Sequence, residues 1–212
     1  MLASEDIPEN DPWWFRQPIS GNAVTSILDK PTQRAAFRQI RDSYVNGLTA
    51  QDRSLAFSKI PSPLVKFLAP GKIVAGYVAK GSEVDPAAIL AQAHAMGCDL
   101  ALPHVTSKSA PMRFLRWSPD DDLIPGAFGL LQPAETAPEC KPDIVLVPML
   151  AFDDMLIRLG QGAGHYDRAL SVLDHSIAIG LAWSVQFTSV LASDIWDVPL
   201  DAVLTEKSWI TL

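Results

Sequence analysis

The stretch from residue 143 to 170, DIVLVPMLAFDDMLIRLGQGAGHYDRAL, decides the fold that we predict for this chain of 212 residues. Residues 144–147 are a short run of branched apolar side chains that stops at Pro148. Such a run predicts a strand buried on both faces of a parallel sheet. A glycine-rich loop follows at 158–164, and a helix is predicted to begin near His165. Strand, loop and helix in this order indicate an α/β fold.

The glycine-rich loop is a candidate site for a phosphate group. Glycine occupies every second position of 160–164, so no side chain keeps a ligand away from the backbone N–H groups. The loop leads into a helix N-terminus, which favours an anion. Arg158 and Arg168 add positive charge, and Asp167 offers an oxygen ligand for Mg²⁺. The loop matches neither the Walker nor the dinucleotide fingerprint. The alternative is a flexible connection in which Asp167 only stabilises the first helical turn.

The motif RLGQGAGHYDR at 158–168, preceded by VPMLAFD, resembles the signature RLG-x-G-x-G-[YF]-YD of the 5-formyltetrahydrofolate cyclo-ligase (methenyltetrahydrofolate synthetase) family. Three positions depart from the family pattern. Leu156 stands where glycine is common, Ala163 stands where Gly or Lys is usual, and His165 stands where Tyr is usual. The resemblance extends from about Arg34 to the C-terminus. It implies a three-layer α/β/α architecture with a largely parallel sheet (NagB/RpiA/CoA-transferase-like).

The segment that follows Pro31 has helical spacing. Its larger apolar residues share one face: Phe37, Ile40 and Tyr44. Its arginines lie on another: Arg34, Arg38 and Arg41. Taken alone, the arginine face is most simply a solvated surface. The segment also resembles the opening helix of the family, with Arg34 at the usual lysine position and Arg38 at the arginine, and this implies that both hold nucleotide phosphates.

The resemblance assigns most of the candidate site to ATP. The implied nucleotide-binding residues are Arg34, Arg38, Arg158, Gly160, Gln161, Gly162, Ala163, Gly164, His165 and Tyr166. Of these, Arg158 and Arg38 are the implied catalytic residues. The implied Mg²⁺ ligands are Asp167 and Asp197; an acidic residue that opens a turn is the alternative for Asp197.

The folate side of the site follows from other matched elements. Glu83 lies in a loop that resembles the family's folate-contacting E-[VI]-[DE]-T, and a carboxylate can accept two parallel N–H donors from a pterin. A surface acid is the alternative. Met112 and Phe128 match family elements too, and Phe128 offers a flat ring for stacking. Core packing is the alternative for both. His165 is the fourth residue expected to orient the folate.

Other elements are predicted from local signals. Strands are expected at 72–78, 99–103, 112–117 and 176–182. A second helix follows Thr49, and a later helix is capped by Asp85 with Pro86 in its first turn and Gly97 at its end.

Composition narrows the functional classes. The net charge is −7 and the isoelectric point is near 5.0, which argues against nucleic-acid and anionic-membrane partners. No apolar run approaches the ~20 residues of a membrane span, and the first residues lack the features of a signal peptide. Cys98 and Cys140 form no disulfide framework or metal pair, so buried, reduced thiols are expected. We expect a cytoplasmic protein that is a monomer or weak homodimer.

We expect one α/β domain at 30–212, preceded by an extension at 1–29. Three prolines and the cluster Trp13-Trp14-Phe15 mark the extension. Two interpretations are open: an arm that folds back or stays mobile, or a contact for a partner.

The implied reaction converts 5-formyltetrahydrofolate and ATP into 5,10-methenyltetrahydrofolate, ADP and phosphate with Mg²⁺. Two other functions fit the sequence. One is a paralogue with the same cleft and another substrate, such as a sugar phosphate or CoA ester. The other is a non-catalytic module that binds folate or nucleotide.

Overall fold

A computed structural model of the chain describes residues 29–212, with the side chain of Phe128 excepted. The prediction for Trp13-Trp14-Phe15 therefore lies outside the described residues. Asp29 was assigned to the extension, but it caps the first helix, where its Oδ1 accepts a hydrogen bond from the Thr32 N–H at 2.8 Å. Asp29 thus belongs with the domain that follows it.

The helices are α1 (Lys30–Gly47), α2 (Ala50–Leu55), α3 (Ser62–Val65), α4 (Ala87–Ala95) and α5 (His165–Leu170). Thr49 caps α2 as predicted and accepts from the Asp52 N–H at 3.0 Å. Helix α4 begins one residue later than predicted, with Pro86 at the cap position, and the Asp85 carboxylate accepts from the Ala87 N–H at 3.0 Å. Gly97 follows this helix with a φ of 87°, which suits glycine.

The strands are β1 (Ile73–Ala75), β2 (Asp99–His104), β3 (Arg113–Trp117), β4 (Ile124–Pro125), β5 (Leu131–Gln132), β6 (Glu139–Cys140), β7 (Ile144–Pro148), β8 (Ala151–Phe152), β9 (Arg158–Leu159), β10 (Ile177–Leu181), β11 (Ala202–Leu204) and β12 (Trp209–Ile210). The main sheet has the order β12-β11-β10-β7-β1-β2-β3-β6. Its central pairs, from β11 to β2, are parallel, and its outer pairs are antiparallel.

Successive residues of the central strands face two separate cores. Ile144 and Leu146 belong to a core that also contains residues of α1 and α4, whereas Val145 and Val147 belong to a core that contains residues of α5. Because neighbouring strand residues point to opposite faces, the sheet is covered on both sides. This confirms the predicted α/β/α fold and explains why residues 144–147 are apolar without alternation.

Two local predictions are wrong. Strand β1 ends at Ala75 rather than at residue 78. The residues that follow it belong to a loop, in which the Tyr77 hydroxyl donates to the Val84 carbonyl at 2.6 Å. On α1, Ile40 is 43% exposed whereas Arg41 is only 4% exposed. The face that contains Ile40 is therefore not the buried face of α1. The buried face contains Arg41, which makes polar contacts with loops at the edge of a cleft.

The cysteines are free, as expected, but of the two only Cys98 is buried. Cys140 lies in the short outer strand β6, where part of its surface stays exposed to solvent. Burial raises the pKa of both thiols. Within residues 29–212, no helix has the length and apolar character needed to cross a bilayer.

The topology places a cleft at one end of the sheet. Strands β2 and β7 lie on opposite sides of β1, so the chain order reverses there. In open parallel sheets, ligands bind at the carboxyl ends of the strands next to such a reversal. The loops that follow β1, β2 and β9 line the cleft at this end, together with Pro148 at the end of β7.

Candidate active site

A cleft of about 1380 Å³ opens at this end of the sheet. It exceeds the volume of about 300–1,000 Å³ typical of a site for one drug-sized ligand. All the predicted site residues whose side chains are described line it: Arg34, Arg38, Glu83, Met112, Arg158, Gly160, Gln161, Gly162, Ala163, Gly164, His165, Tyr166, Asp167 and Asp197. Their individual roles stay predictions, and so does the role of Phe128.

The glycine-rich loop needs two of its glycines for its own shape. Gly162 and Gly164 have φ values of 105° and 66°, in the left-handed region that favours glycine. A Cβ atom on Gly162 would also lie 3.3 Å from the guanidinium of Arg34. None of the described residues accepts a hydrogen bond from the backbone N–H groups of residues 161–164. These groups are therefore available for an anionic ligand.

Helix α1 supplies positive charge above this loop. Arg34 Nε donates to the Gly160 carbonyl at 3.0 Å, and Arg38 Nη2 donates to Gln161 Oε1 at 2.8 Å. The two arginines are one helical turn apart, so they reach the same loop. The arrangement combines unpaired amides with two guanidinium groups, which is suited to a polyphosphate.

Arg158 lies below the loop and is only 5% exposed. Its Nη2 donates to Asp167 Oδ1 at 2.5 Å, and its Nη1 donates to the Val198 carbonyl at 2.5 Å. Burial lowers the pKa of Arg158, and the nearby charges of Asp167 and Asp197 oppose that shift. The residue predicted as catalytic therefore also holds one of the predicted metal ligands in place.

Asp197, the other predicted metal ligand, is paired with a lysine. Lys30 Nζ lies 2.8 and 2.6 Å from the two carboxylate oxygens of Asp197, and 2.6 Å from Asp194 Oδ2. Among residues 29–212, no three His, Cys, Asp or Glu side chains are grouped so as to hold a metal ion. The donors therefore do not suit a metal held by protein alone. They suit Mg²⁺ that takes most of its ligands from phosphates and water and one or two from carboxylates.

Glu83 lies opposite the glycine-rich loop. Its Oε2 accepts from the Lys80 N–H at 2.9 Å, and its Oε1 accepts from Gln161 Nε2 at 3.2 Å. Gln161 therefore joins Arg38 on the nucleotide side to Glu83 on the predicted folate side. The alternative of a surface acid is wrong for Glu83, because its side chain is only 11% exposed.

The remaining predicted contacts lie between these two sides. Met112 is buried in one of the two cores and also reaches the cleft. The Tyr166 hydroxyl is buried and has no hydrogen-bond partner among the described residues, and burial, with Glu83 nearby, raises the pKa of this hydroxyl. His165 Nδ1 lies 3.1 Å from Arg168 Nη2, and burial together with this arginine lowers the pKa of His165.

Sequence analysis missed several residues of the cleft. Lys30 was not predicted, because its partners Asp194 and Asp197 are more than 160 positions away. Arg41 was placed on the arginine face of α1 without a role, although it lies seven positions after Arg34 on the same face. No local pattern pointed to Ser82, which contacts Arg41.

Leu156, one of the departures from the motif, has a φ of 57°. It is the only residue other than glycine with positive φ in the described part of the chain. A leucine in this conformation carries a cost of roughly 1–2 kcal/mol. The side chain is 1% exposed and packs in a core, which offsets the strain. The chain therefore keeps the backbone conformation of a glycine without having one.

Comparisons with known proteins cover most of this chain. A sequence model of the 5-formyltetrahydrofolate cyclo-ligase family matches residues 27–206. The chain is 31% identical to the 5-formyltetrahydrofolate cyclo-ligase of Escherichia coli K12 over 144 residues, which cover 64% of this chain and 79% of that protein. It is 34% identical to the enzyme of the same name from Mycolicibacterium smegmatis over 145 residues, covering 64% and 72% of the two chains.

Solved structures show the same relationship. The 5,10-methenyltetrahydrofolate synthetase of Aquifex aeolicus superposes with a TM-score of 0.69 at 29% identity, over 87% of this chain and 93% of that one. The synthetase of Mycoplasma pneumoniae gives a TM-score of 0.64 at 26% identity, over 84% and 99%. The chain therefore belongs to the 5-formyltetrahydrofolate cyclo-ligase family.

Proposed function

We propose that this protein catalyses the ATP- and Mg²⁺-dependent cyclisation of 5-formyltetrahydrofolate to 5,10-methenyltetrahydrofolate, with release of ADP and phosphate. Membership of the family supports the substrate and the product. One observation carries the nucleotide half of the proposal: the backbone amides of residues 161–164 have no partner in the described part of the chain, and they lie beside Arg34 and Arg38 in the same cleft as Glu83.

The proposed chemistry begins with a poor electrophile, since nitrogen donates electrons into the formyl group of a formamide. The formyl oxygen attacks the terminal phosphorus of ATP, the bond from that phosphorus to the bridging oxygen breaks, and ADP leaves. The product is an iminophosphate with a positively polarised formyl carbon. N10 attacks this carbon and loses its proton, the carbon–oxygen bond breaks, and inorganic phosphate leaves.

In this scheme the protein mainly positions reactants and neutralises charge, which is the usual basis of phosphoryl transfer. We assign the loop amides, Arg34 and Arg38 to the triphosphate. Arg38 and Arg158 would balance the negative charge that develops on the transferred group. Glu83 would hold the pterin, with Met112, His165 and Phe128 orienting the rest of the folate.

Asp167 and Asp197 would hold Mg²⁺ together with the nucleotide. Both carboxylates line the cleft, and their oxygens are the ligand type that Mg²⁺ prefers. Asp197 is bound to Lys30, so the ion would have to replace the lysine ammonium on that carboxylate. When bound, Mg²⁺ would neutralise phosphate charge as ATP loses its terminal group.

The test of this function is direct. The purified protein is incubated with 5-formyltetrahydrofolate, ATP and Mg²⁺, and the absorbance of the methenyl product is followed. We expect turnover that requires both ATP and the metal. Folate binding without ATP turnover would favour the non-catalytic module. Absence of both binding and turnover would favour a paralogue with another substrate. The positive φ of Leu156 argues against a change of substrate, because the backbone there keeps the conformation that a glycine would adopt.

A further inference from the structure

Arg41 is the most deeply buried arginine of α1, and it does not reach the glycine-rich loop. Arg34 and Arg38 contact Gly160 and Gln161, whereas Arg41 Nε donates to Ser82 Oγ at 2.9 Å. Arg41 Nη1 lies 3.4 Å from the Met149 carbonyl and 3.8 Å from Glu83 Oε1. The helix therefore directs two arginines to the nucleotide side of the cleft and a third to the predicted folate side.

The distance between Arg41 and Glu83 matters. At 3.8 Å the guanidinium attracts the carboxylate but is too far away to form a hydrogen bond with it. A carboxylate offers about four acceptor positions on its two oxygens. The Lys80 N–H takes one on Oε2, and Gln161 takes one on Oε1. Within residues 29–212, one position on each oxygen is left, which is the pair that two adjacent N–H donors of a pterin require.

The loop that carries Glu83 is fixed by its neighbour Ser82. The Ser82 hydroxyl accepts from Arg41 and makes a short hydrogen bond to Asp42, the next residue of α1. The Ser82 carbonyl accepts from Trp183 Nε1 at 3.0 Å. Contacts from the same arginine thus set both the position of the loop and the charge environment of the carboxylate.

We propose that Arg41 is a positioning residue for the folate: it holds the Glu83 carboxylate aimed at the pterin while leaving acceptor positions on its oxygens open. The proposal rests on the proposed function, since it takes Glu83 as the pterin acceptor. A buried pair of charges is weak support for stability, because its desolvation cost can exceed the attraction. Placing this pair at the wall of the substrate cleft gives it a role in binding.

The test measures the dissociation constant of 5-formyltetrahydrofolate by calorimetry without nucleotide, and the KM of both substrates by turnover. Arg41→Met keeps much of the length of the side chain but removes the charge. We expect it to weaken folate binding and to raise the folate KM by about tenfold or more, with the ATP KM and kcat within about twofold of wild type. Arg41→Lys, which keeps the charge, should recover part of the loss.

A double-mutant cycle separates positioning from general support. If Arg41 acts through Glu83, Arg41→Met should weaken folate binding much less in a Glu83→Gln background than in the wild type. Arg53→Met is the matched control. Arg53 lies on α2 and donates to the Gly81 carbonyl of the same loop at 2.8 Å, but it does not pair with Glu83. Its loss should leave folate affinity nearly unchanged. Thermal unfolding of each variant shows that it is folded.

The outcomes are distinct. Equal folate affinity of wild type and Arg41→Met would overturn the role of Arg41 but not the proposed function. Independent effects of Arg41→Met and Glu83→Gln would have the same consequence. A wild-type protein that binds folate but does not turn it over overturns the proposed function and leaves this inference standing if the cycle behaves as stated. A wild-type protein without folate affinity overturns both.

Discussion

The two sides of the cleft are built in different ways. The proposed nucleotide side consists of the glycine-rich loop with Arg34 and Arg38 beside it, and its amides at 161–164 are unpaired among the described residues. The proposed folate side consists of buried side chains that already contact one another, from Arg41 through Ser82 to Trp183. The first side gains its partners from a ligand, whereas the second is assembled before a ligand arrives.

This difference suggests how two substrates are handled in one cleft. A triphosphate brings its own charge and its own metal ion, so an open set of donors is sufficient. A neutral pterin ring brings only directional N–H groups, and a prearranged acceptor lowers the entropy cost of binding it. Substitutions on the two sides should therefore affect different kinetic constants.

The largest effect is expected for Arg158, which lies on the nucleotide side but is buried like the residues of the other side. Arg158→Ala should cost at least about 2–3 kcal/mol of transition-state stabilisation, as the loss of a positioned donor does elsewhere. It should also lower the unfolding temperature, because the partly buried carboxylate of Asp167 loses its partner. Steady-state kinetics and thermal unfolding measure the two losses.

Arg38→Ala is the control for this prediction. Arg38 is exposed, and its one hydrogen bond to a described residue goes to the Gln161 side chain, so its loss should reduce turnover without changing the unfolding temperature. Wild-type-like kcat in Arg158→Ala would remove Arg158 from the mechanism.

The next effect concerns the shape of the glycine loop. Gly162→Ala places a side chain at a φ of 105° and against Arg34, at a strain of about 1–2 kcal/mol. We expect the ATP KM to rise by about tenfold, since 1.4 kcal/mol corresponds to a factor of ten, with little change in the folate KM. Gly71→Ala is the matched control, because Gly71 also has a positive φ, 83°, but does not line the cleft. Equal effects of the two substitutions on the ATP KM would contradict an ATP site shaped by this loop.

A smaller effect is expected where the metal is proposed to bind. Lys30 neutralises Asp197 and Asp194, so Lys30→Ala should lower the half-saturating Mg²⁺ concentration by about two- to fivefold, the size of a modest ion pair. Calorimetric titration of Mg²⁺ with a non-hydrolysable ATP analogue provides a readout besides turnover. Lys72→Ala, which removes a lysine paired with Asp143 outside the cleft, should change nothing. A higher Mg²⁺ requirement in Lys30→Ala would instead indicate that the lysine binds phosphate.

The smallest effect on catalysis is expected at Leu156, which belongs to neither side. Leu156→Gly relieves the strain of a positive φ but removes a fully buried side chain. The lost burial, about 2–5 kcal/mol, exceeds the relief of about 1–2 kcal/mol. We expect a lower free energy of unfolding in denaturant titration with unchanged KM values. A more stable variant would show that the strain outweighs the burial.

Sequence predicted the elements of the proposed nucleotide side better than those of the proposed folate side, and the reason is physical. The glycine spacing, the start of α5 and the i, i+4 pair Arg34 and Arg38 are local patterns, and local patterns show in a single sequence. The buried strand Ile144–Pro148 was predicted for the same reason.

What escaped prediction depends on contacts between distant residues. Arg41 is buried because Ser82 and Met149, which lie in distant loops, contact it in the fold. Lys30 pairs with carboxylates that lie near the other end of the sequence. The prediction of the buried face of α1 was wrong for this reason, since polar loops rather than the sheet cover part of that helix. Leu156 shows the converse, because its backbone conformation could not be foreseen from a leucine.

A crystal structure of the protein with Mg²⁺, a non-hydrolysable ATP analogue and 5-formyltetrahydrofolate tests the division of the cleft most directly. We predict that the triphosphate contacts the amides of residues 161–164 beneath Arg34 and Arg38, and that the pterin ring donates to Glu83 with Arg41 behind it. A triphosphate bound elsewhere, or a pterin that leaves Glu83 without a ligand contact, would contradict the account.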